Sequence, residues 1–289
     1  MSGHKRIGVA SVQRLDHHSF LEWFAYYLIN GVDRFIIRNH SMPGDPADPV
    51  VGWLEKLSRY YDIDRADCTG YNTYPSVQQA IMDGPRNELD WLIWADGDEF
   101  HFPIQYSTIR ETLEQYENLN LSALGVYWLN YGSSGHVQEP DLITQGFTRR
   151  GANTEMVNHH MKSIVKGRHA GQVIVTNPHV YTTEFGTYSM EGNLIPTHCG
   201  CNISSAGCPG NTTHAIMRIN HYQCRSWEYF KNVKQKRGPG DRPPEAPGGT
   251  ITDEWFGMND LNQIEDTALW DKFGNQLIEK IELLKEQIK

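Results

Sequence analysis

The chain has no long hydrophobic run. Within its 289 residues no stretch approaches the roughly 20 apolar positions a helix needs to cross a bilayer. The opening Met-Ser-Gly-His-Lys-Arg has neither a signal-type apolar region nor a small-residue cleavage site, so a cytoplasmic protein is expected. Without a secretion signal, the Asn-x-Ser/Thr triplets at Asn120, Asn202 and Asn211 read as chance matches. Cysteine is scarce: Cys68, Cys199, Cys201, Cys208 and Cys224. An odd count in a leaderless chain favours free thiols over a disulfide framework. Cys199, Cys201 and Cys208, with His198 and His214 beside them, leave a zinc site or one local disulfide open, although the Cys-x2-Cys spacing of established zinc modules is missing. Positive charge is in deficit, with 26 Lys and Arg against 35 Asp and Glu and a formal net charge of −9. That argues against a nucleic-acid binder, which needs clustered cations. A nucleotide ligand remains compatible, because a metal ion can neutralise one diphosphate locally.

What is present reads as alternating strands and helices. Ile7 to Val12 suits a buried first strand, His18 to Asn30 repeats Phe20, Phe24, Tyr27 and Leu28 at helical spacing, and Arg34 to Arg38 suits a second strand before a turn-rich stretch from Asn39 to Pro49. Strand–helix–strand is the unit of a parallel sheet. Helices are expected over Val50–Tyr61, Ser76–Leu89 (interrupted at Gly84-Pro85) and Ser107–Glu117, and strands at Trp91–Trp94 and Ala123–Asn130. The second half is richer in Gly, Ser, Asn and Thr, with long loops over 131–151 and 189–213. Short strands are expected at Lys162–Val165 and Gln172–Thr176, a basic helix at Arg225–Arg237, and an amphipathic helix over Leu269–Lys289. The expectation is a single α/β domain over 1–289. A Rossmann-like, mostly parallel sheet flanked by helices would carry a ligand-binding half (1–130), and a loop-rich half (131–289) would complete it.

The sharpest feature is Trp91-Leu92-Ile93-Trp94-Ala95-Asp96-Gly97-Asp98-Glu99-Phe100. A four-residue run without a polar side chain fits a central strand covered on both faces. Open parallel sheets bind ligands beyond the carboxyl ends of their strands. Three carboxylates delivered there repel one another unless a cation joins them. Hard divalent ions such as Mn²⁺ or Mg²⁺ take oxygen ligands and bridge phosphates. Gly97 allows a sharp turn and close approach of a ligand. The plainer reading is a solvated acidic turn.

Asp-x-Asp after an apolar strand resembles the signature of GT-A glycosyltransferases. The longer string Trp94 to Phe100 resembles glycosyltransferase family 92 and its relatives in the family-2-like group. Further segments match in order: Glu22-Trp23 with Tyr26, Gly31-Val32-Asp33, Phe35-Ile36-Ile37, Asn39-His40-Ser41 with Asp45, Trp128 to His136, Lys162 to Val165, Asn220-His221-Tyr222, and Ser226, Glu228 and Phe230 ahead of Lys234. They span about residues 7 to 238. Gln13-Arg14-Leu15-Asp16 departs from the Lys-Asn-Glu that relatives tend to carry.

The resemblance implies a GT-A fold, a nucleotide-diphosphate sugar donor (with a uridine carrier expected), a glycan hydroxyl as acceptor, and inverting transfer. By analogy Asp96 contacts ribose and the metal region, Asp98 ligates the metal, and His221 adds a ligand. Imidazole suits Mn²⁺ better than Mg²⁺. His198 and His179 are weaker candidates. Arg14, Asn39 and Gly97 are placed at the nucleotide. Lys234, within the basic run Lys231, Lys234, Lys236 and Arg237, and Lys162 are placed at the diphosphate; a solvated helix face is the alternative for the run. The metal would stabilise charge growing on the leaving phosphate. Inversion needs a base near the acceptor hydroxyl. Glu191, before Gly192, is the candidate, with Glu155, Asp253 and Asp260 open. Trp128, Tyr131 and Trp255 are candidate acceptor contacts. A sugar nucleotidyltransferase is the competing enzyme, although Ser11 to Leu15 lacks the glycine-rich loop usual there. A non-catalytic nucleotide-sugar binder is the other alternative.

Overall fold

A computed structural model describes residues 5–70, 74–176, 179–196, 212–239, 245–246 and 248–289. The cysteine cluster at Cys199, Cys201 and Cys208, with His198, lies outside the described residues. Cys68 and Cys224 are free thiols.

The first strand, β1 (Ile7–Gln13), is buried along its whole length. It is followed by helix α1 (His17–Ile29), whose Phe20, Trp23, Phe24, Tyr26 and Tyr27 are all essentially inaccessible. Burying this many aromatic faces gives the helix far more support than local propensity. Gly31, at φ +89°, turns the chain back, and Arg110 packs so closely that a Cβ there would lie 2.8 Å from its Nε. Strands β2 (Arg34–Ser41), β3 (Asp62–Thr69) and β4 (Trp91–Trp94) run parallel in the order β3-β2-β1-β4.

Beyond β4 come β5 (Glu99–Pro103), β6 (Ala123–Asn130), β8 (Met161–Val165), β11 (Thr187–Ser189), β12 (Leu194–Ile195) and β13 (Met217–His221). The sheet continues β4-β8-β6-β11-β12, with β8 antiparallel to both neighbours. β13 lies parallel to β6 and antiparallel to β5. Two short ladders, β7 (Arg149–Arg150) with β14 (Ile264–Glu265) and β9 (Val173–Ile174) with β10 (Thr182–Thr183), complete the set. The fold is thus α/β, with a mostly parallel central sheet flanked by helices. The C-terminal helix Ala268–Gln287 buries Leu269, Phe273, Leu277, Ile281 and Leu284, the stripe expected from its spacing, and packs on α1. None of the described helices is long and apolar enough to cross a membrane.

Several boundaries differ from expectation. β2 runs on through Asn39, His40 and Ser41, because each pairs with Asp67, Cys68 and Thr69 of β3. The interruption expected at Gly84-Pro85 is present: the helix before it ends at Asp83 and Pro85–Glu88 forms a 3-10 turn, since proline breaks the hydrogen-bond ladder. The basic helix covers 227–237 and widens to a π turn over Phe230–Lys234. β3, β5 and β13 were not legible as strands.

Candidate active site

The site lies where β1, β4 and β13 end. β4 is fully buried, and its chain emerges at Ala95 into the Asp96-Gly97-Asp98 turn. The turn is closed from inside: Glu99 Oε2 accepts the Asp96 N–H at 2.9 Å, and Trp23 Nε1 donates to the Asp96 carbonyl at 3.0 Å. Gly97 has no need of an unusual φ. Its requirement is space, since a Cβ would lie 2.6 Å from Gln13 Oε1 and 3.2 Å from Asp16 Oδ2.

The three carboxylates have different surroundings. Asp96 Oδ2 takes the Lys162 ammonium at 2.8 Å, and the same amine lies 3.7 Å from Glu99 Oε1. Burial lowers the pKa of an amine, but at Lys162 the charges of Asp96 and Glu99 overcome it and raise the value, so it is a cation. Glu99 is inaccessible. Burial, reinforced by Asp96 and Asp98, pushes its pKa well above the ordinary carboxyl range despite Lys162. Asp98 faces the cleft. Its Oδ1 is 3.5 Å from His221 Nε2, and its Oδ2 is 3.7 Å from Lys234 Nζ. Burial would raise its pKa, but His221, Lys234 and Arg237 together hold it well below the usual value. Lys234 donates to the Gln223 carbonyl. Burial lowers its pKa, with Asp98 opposing.

Asp96, Asp98, His221 and Lys234 line a cleft of about 530 Å³ that also takes in Arg14, Asp16, Tyr74, Gln223, Arg237 and Trp255. Arg14 is held by both oxygens of Asp45 at 2.8 Å. Arg237 donates to Asp16 Oδ1 at 2.8 Å and to the Arg14 carbonyl at 2.6 Å, while Arg14 donates to the Arg237 carbonyl at 3.0 Å. The end of β1 and the helix 227–237 are thereby stitched together across one rim. Asp16, Tyr74, Gln223 and Arg237 were not singled out individually from the sequence as site residues. The charged stretches around Arg14 and Lys234 were the only signal.

Of the residues expected at the site, the structure brings Arg14, Asp96, Gly97, Asp98, His221, Lys234 and Trp255 to the cleft. Lys162 stands behind the turn, 3% exposed, against the carboxylates of Asp96 and Glu99. Asn39 donates to Asp67 Oδ1 and lines a separate hollow with Arg65 and Asp67. Glu191 is exposed in the turn between β11 and β12 and accepts from Thr213 Oγ1 at 2.6 Å; it is not among the cleft-lining residues. Glu155 is tied to Gln263, Asp253 to Lys231 and Gln235, and Asp260 to the Ser133 N–H. Tyr131 is buried with its hydroxyl on Arg218. Trp128, 8% exposed, has His160 stacked at 5.1 Å and His221 at 4.2 Å, so it packs against the site's imidazole and shows an acceptor little surface. His179, half-buried beside it, is hydrogen-bonded to the Met161 carbonyl.

Asp98 and His221 fit a hard or borderline divalent cation. They present an oxygen and an imidazole nitrogen toward one region, and Asp96 Oδ1 and His221 Nδ1 are buried without hydrogen-bond partners. Among the described residues no group of three or more His, Cys, Asp or Glu side chains is arranged around one point. A cation held here would take its other ligands from phosphate and water, as Mg²⁺-type sites do.

No family model matches the chain. It is similar to a glycosyltransferase family 92 protein of rice, Oryza sativa subsp. japonica, at 27% identity over 220 residues. That match covers 73% of this chain, and the chain spans about a third (32%) of the relative's length. The similarity agrees with the resemblance read from the motifs. Among solved structures, TarS 1-349 of S. aureus aligns with a TM-score of 0.34 and 10% identity, over 56% of this chain and 47% of that one. A putative glucose-1-phosphate thymidylyltransferase from Bacillus anthracis, in complex with a sucrose, gives a TM-score of 0.34 and 10% identity over 98% of each chain.

Proposed function

We propose that the chain is a glycosyltransferase of the GT-A type that binds a nucleotide-diphosphate sugar, with a uridine diphosphate carrier, and passes the sugar to a hydroxyl of a glycan acceptor. The observation that carries this reading is the Asp98–His221 pair with Lys234 beside it, on the cleft at the end of a buried strand. The family 92 relative is consistent with it.

Asp98 and His221 would hold Mn²⁺ or Mg²⁺, which when bound supplies Lewis-acid stabilisation of the departing phosphate. The other work falls to side chains. Lys234, and Arg237 behind it, set positive charge where the diphosphate would lie. Lys162 neutralises Asp96 from below and keeps the turn from repelling an anionic donor. Arg14, Asp16 and Tyr74 form the end of the cleft nearest β1, where a nucleoside would lie against a strand end. Inversion, which the family resemblance implies, would need a base on the acceptor side; Glu191, Glu155, Asp253 and Asp260 all lie outside the cleft lining.

The test is calorimetric titration with uridine diphosphate and guanosine diphosphate, with and without Mn²⁺, followed by a panel of the matching nucleotide sugars. Binding strengthened by Mn²⁺ is expected. A chain that takes up neither nucleotide under either condition is not a transferase of this kind.

A further inference from the structure

Trp255 differs from the other tryptophans near the site. Trp23, Trp91 and Trp94 are sealed in the core and Trp128 nearly so, whereas Trp255 is half-buried and lines the cleft. Its backbone is fixed at both ends. Thr252 Oγ1 accepts the Trp255 N–H at 3.2 Å and so caps the helix Asp253–Asn259, while Asn259 Nδ2 donates to the Trp255 carbonyl at 2.8 Å.

The far end of that helix is pinned by the Gly132-Ser133-Ser134-Gly135 loop. The Ser133 N–H donates to Asp260 Oδ1 at 2.5 Å and the Ser134 N–H to Asn262 Oδ1 at 2.9 Å. A Cβ on Gly132 would lie 2.5 Å from Asn262 Oδ1, so the loop packs as tightly as it does only with glycine there. The motif's structural task is therefore to mount the segment that carries Trp255. Phe230 lies parallel to the indole, 5° apart with centroids 6.2 Å apart. Lys234 Nζ sits 5.0 Å over the ring and 3.7 Å from Asp98 Oδ2, which ties the indole to the phosphate end of the cleft.

We propose that Trp255, with Ile251 and Gln223 beside it, is a pyranose-binding subsite on the cleft wall formed by the C-terminal half. A pyranose presents a face of C–H bonds and an edge of hydroxyls. It needs an apolar plane that is rigid before binding, flanked by a few polar groups. The indole and Ile251 supply the plane. Gln223, its amide nitrogen bonded to Asn259 Oδ1 at 3.1 Å, supplies a fixed polar group at the edge. Lys234 places the subsite next to the diphosphate. This assignment rests on the transferase reading for its neighbour, the diphosphate, and extends it to where a sugar lies. The ring is that of the donor or that of the acceptor.

The wild type, W255F and W255L are titrated with uridine diphosphate, with its glucose, galactose and N-acetylglucosamine conjugates, and with the methyl glycosides of the same sugars. Saturation-transfer NMR reads contact with the sugar ring protons, and thermal unfolding checks the fold. In the wild type, the ring protons of at least one sugar receive saturation. W255L weakens that probe at least about fivefold and uridine diphosphate less than about twofold, and W255F keeps most of the affinity. Loss confined to the conjugate assigns the donor's ring, and loss in the methyl glycoside assigns the acceptor's. The subsite is overturned by sugar binding that W255L leaves unchanged, by an equal loss of uridine diphosphate, or by no saturation of any ring. Failure of the wild type to bind uridine diphosphate would sink the transferase reading instead, and the methyl glycoside arm would still decide this one.

Discussion

Lys162 Nζ lies 2.8 Å from Asp96 Oδ2, so the first aspartate of the turn is neutralised from within the protein. The second, Asp98, faces the cleft, 3.5 Å from His221 Nε2 and 3.7 Å from Lys234 Nζ. Two residues that look alike in sequence therefore have different partners although both line the cleft: Asp96 is braced by a buried ammonium and Asp98 by groups of the cleft wall.

Lys162→Met should leave Asp96 and Glu99 without their buried counter-charge and cost about 3–5 kcal/mol of stability, the range for removing one partner of a buried pair. Asp96→Asn added to it should return part of that loss, because the two side chains interact directly. Denaturant unfolding of the four proteins in the cycle measures the coupling; strict additivity would refute it.

Asp98→Asn should be read mainly in binding. Its side chain lines the cleft, and because its pKa is depressed some loss of melting temperature is also expected. The Mn²⁺-dependent part of uridine diphosphate binding should fall at least about tenfold, about 1.4 kcal/mol. Titration with and without the metal checks both halves of the statement.

Gly97→Ala introduces a methyl 2.6 Å from Gln13 Oε1. The expected cost is about 1–3 kcal/mol, as for other overpacked sites. Shortening the obstructing side chain with Gln13→Ala should relieve most of it. If the double variant is no more stable than the single, the glycine is needed for another reason.

Glu191 is exposed, bonded to Thr213, and outside the cleft lining. Glu191→Gln should lower turnover by less than about tenfold, whereas removing a general base costs about 10²–10⁴. A drop of 100-fold with donor affinity unchanged would restore the base role that its position in the sequence suggested.

Asp266 bridges Arg150 at 2.7 Å and Arg218 at 2.9 Å. Burial works to raise its pKa, but the two guanidinium groups prevail and lower it. A depressed carboxyl contributes stability that is complete above its unfolded value, near 3.8, and is lost as pH falls below it. Asp266→Asn should therefore be less stable than the wild type at pH 7, by about 3 kcal/mol. The gap should narrow as pH drops under 4. A gap independent of pH would mean that shape, not charge, is what Asp266 provides.

The strand that carries the acidic turn was plain in the sequence because Trp91 to Trp94 contains nothing polar and stops at a cluster of carboxylates. The C-terminal helix was plain for a similar reason, its apolar stripe at helical spacing. β13 was hidden although it ends in His221, because Arg218 and Asn220 look like surface residues; their buried polar groups are satisfied by Asp266, Tyr131, Tyr222 and each other. β3 was hidden because it is a charged edge strand whose support is backbone pairing with β2. Lys162 was marked as important, but its ion pair with Asp96 was not foreseen. Choosing between a phosphate and a buried carboxylate requires knowing that β8 inserts beside β4, a pairing between segments about 70 residues apart.

That insertion has a further effect. β1, β4 and β13 reach the cleft through the residues at or just after their C-terminal ends. β8 runs the other way, so its opening residue Lys162 stands at that end of the sheet, behind the acidic turn. A slip of β8 by one residue against its neighbours would reverse which face of the sheet Lys162 points to. The chain after β8 leaves at the opposite edge, where insertions can accumulate without disturbing the ligand-binding end.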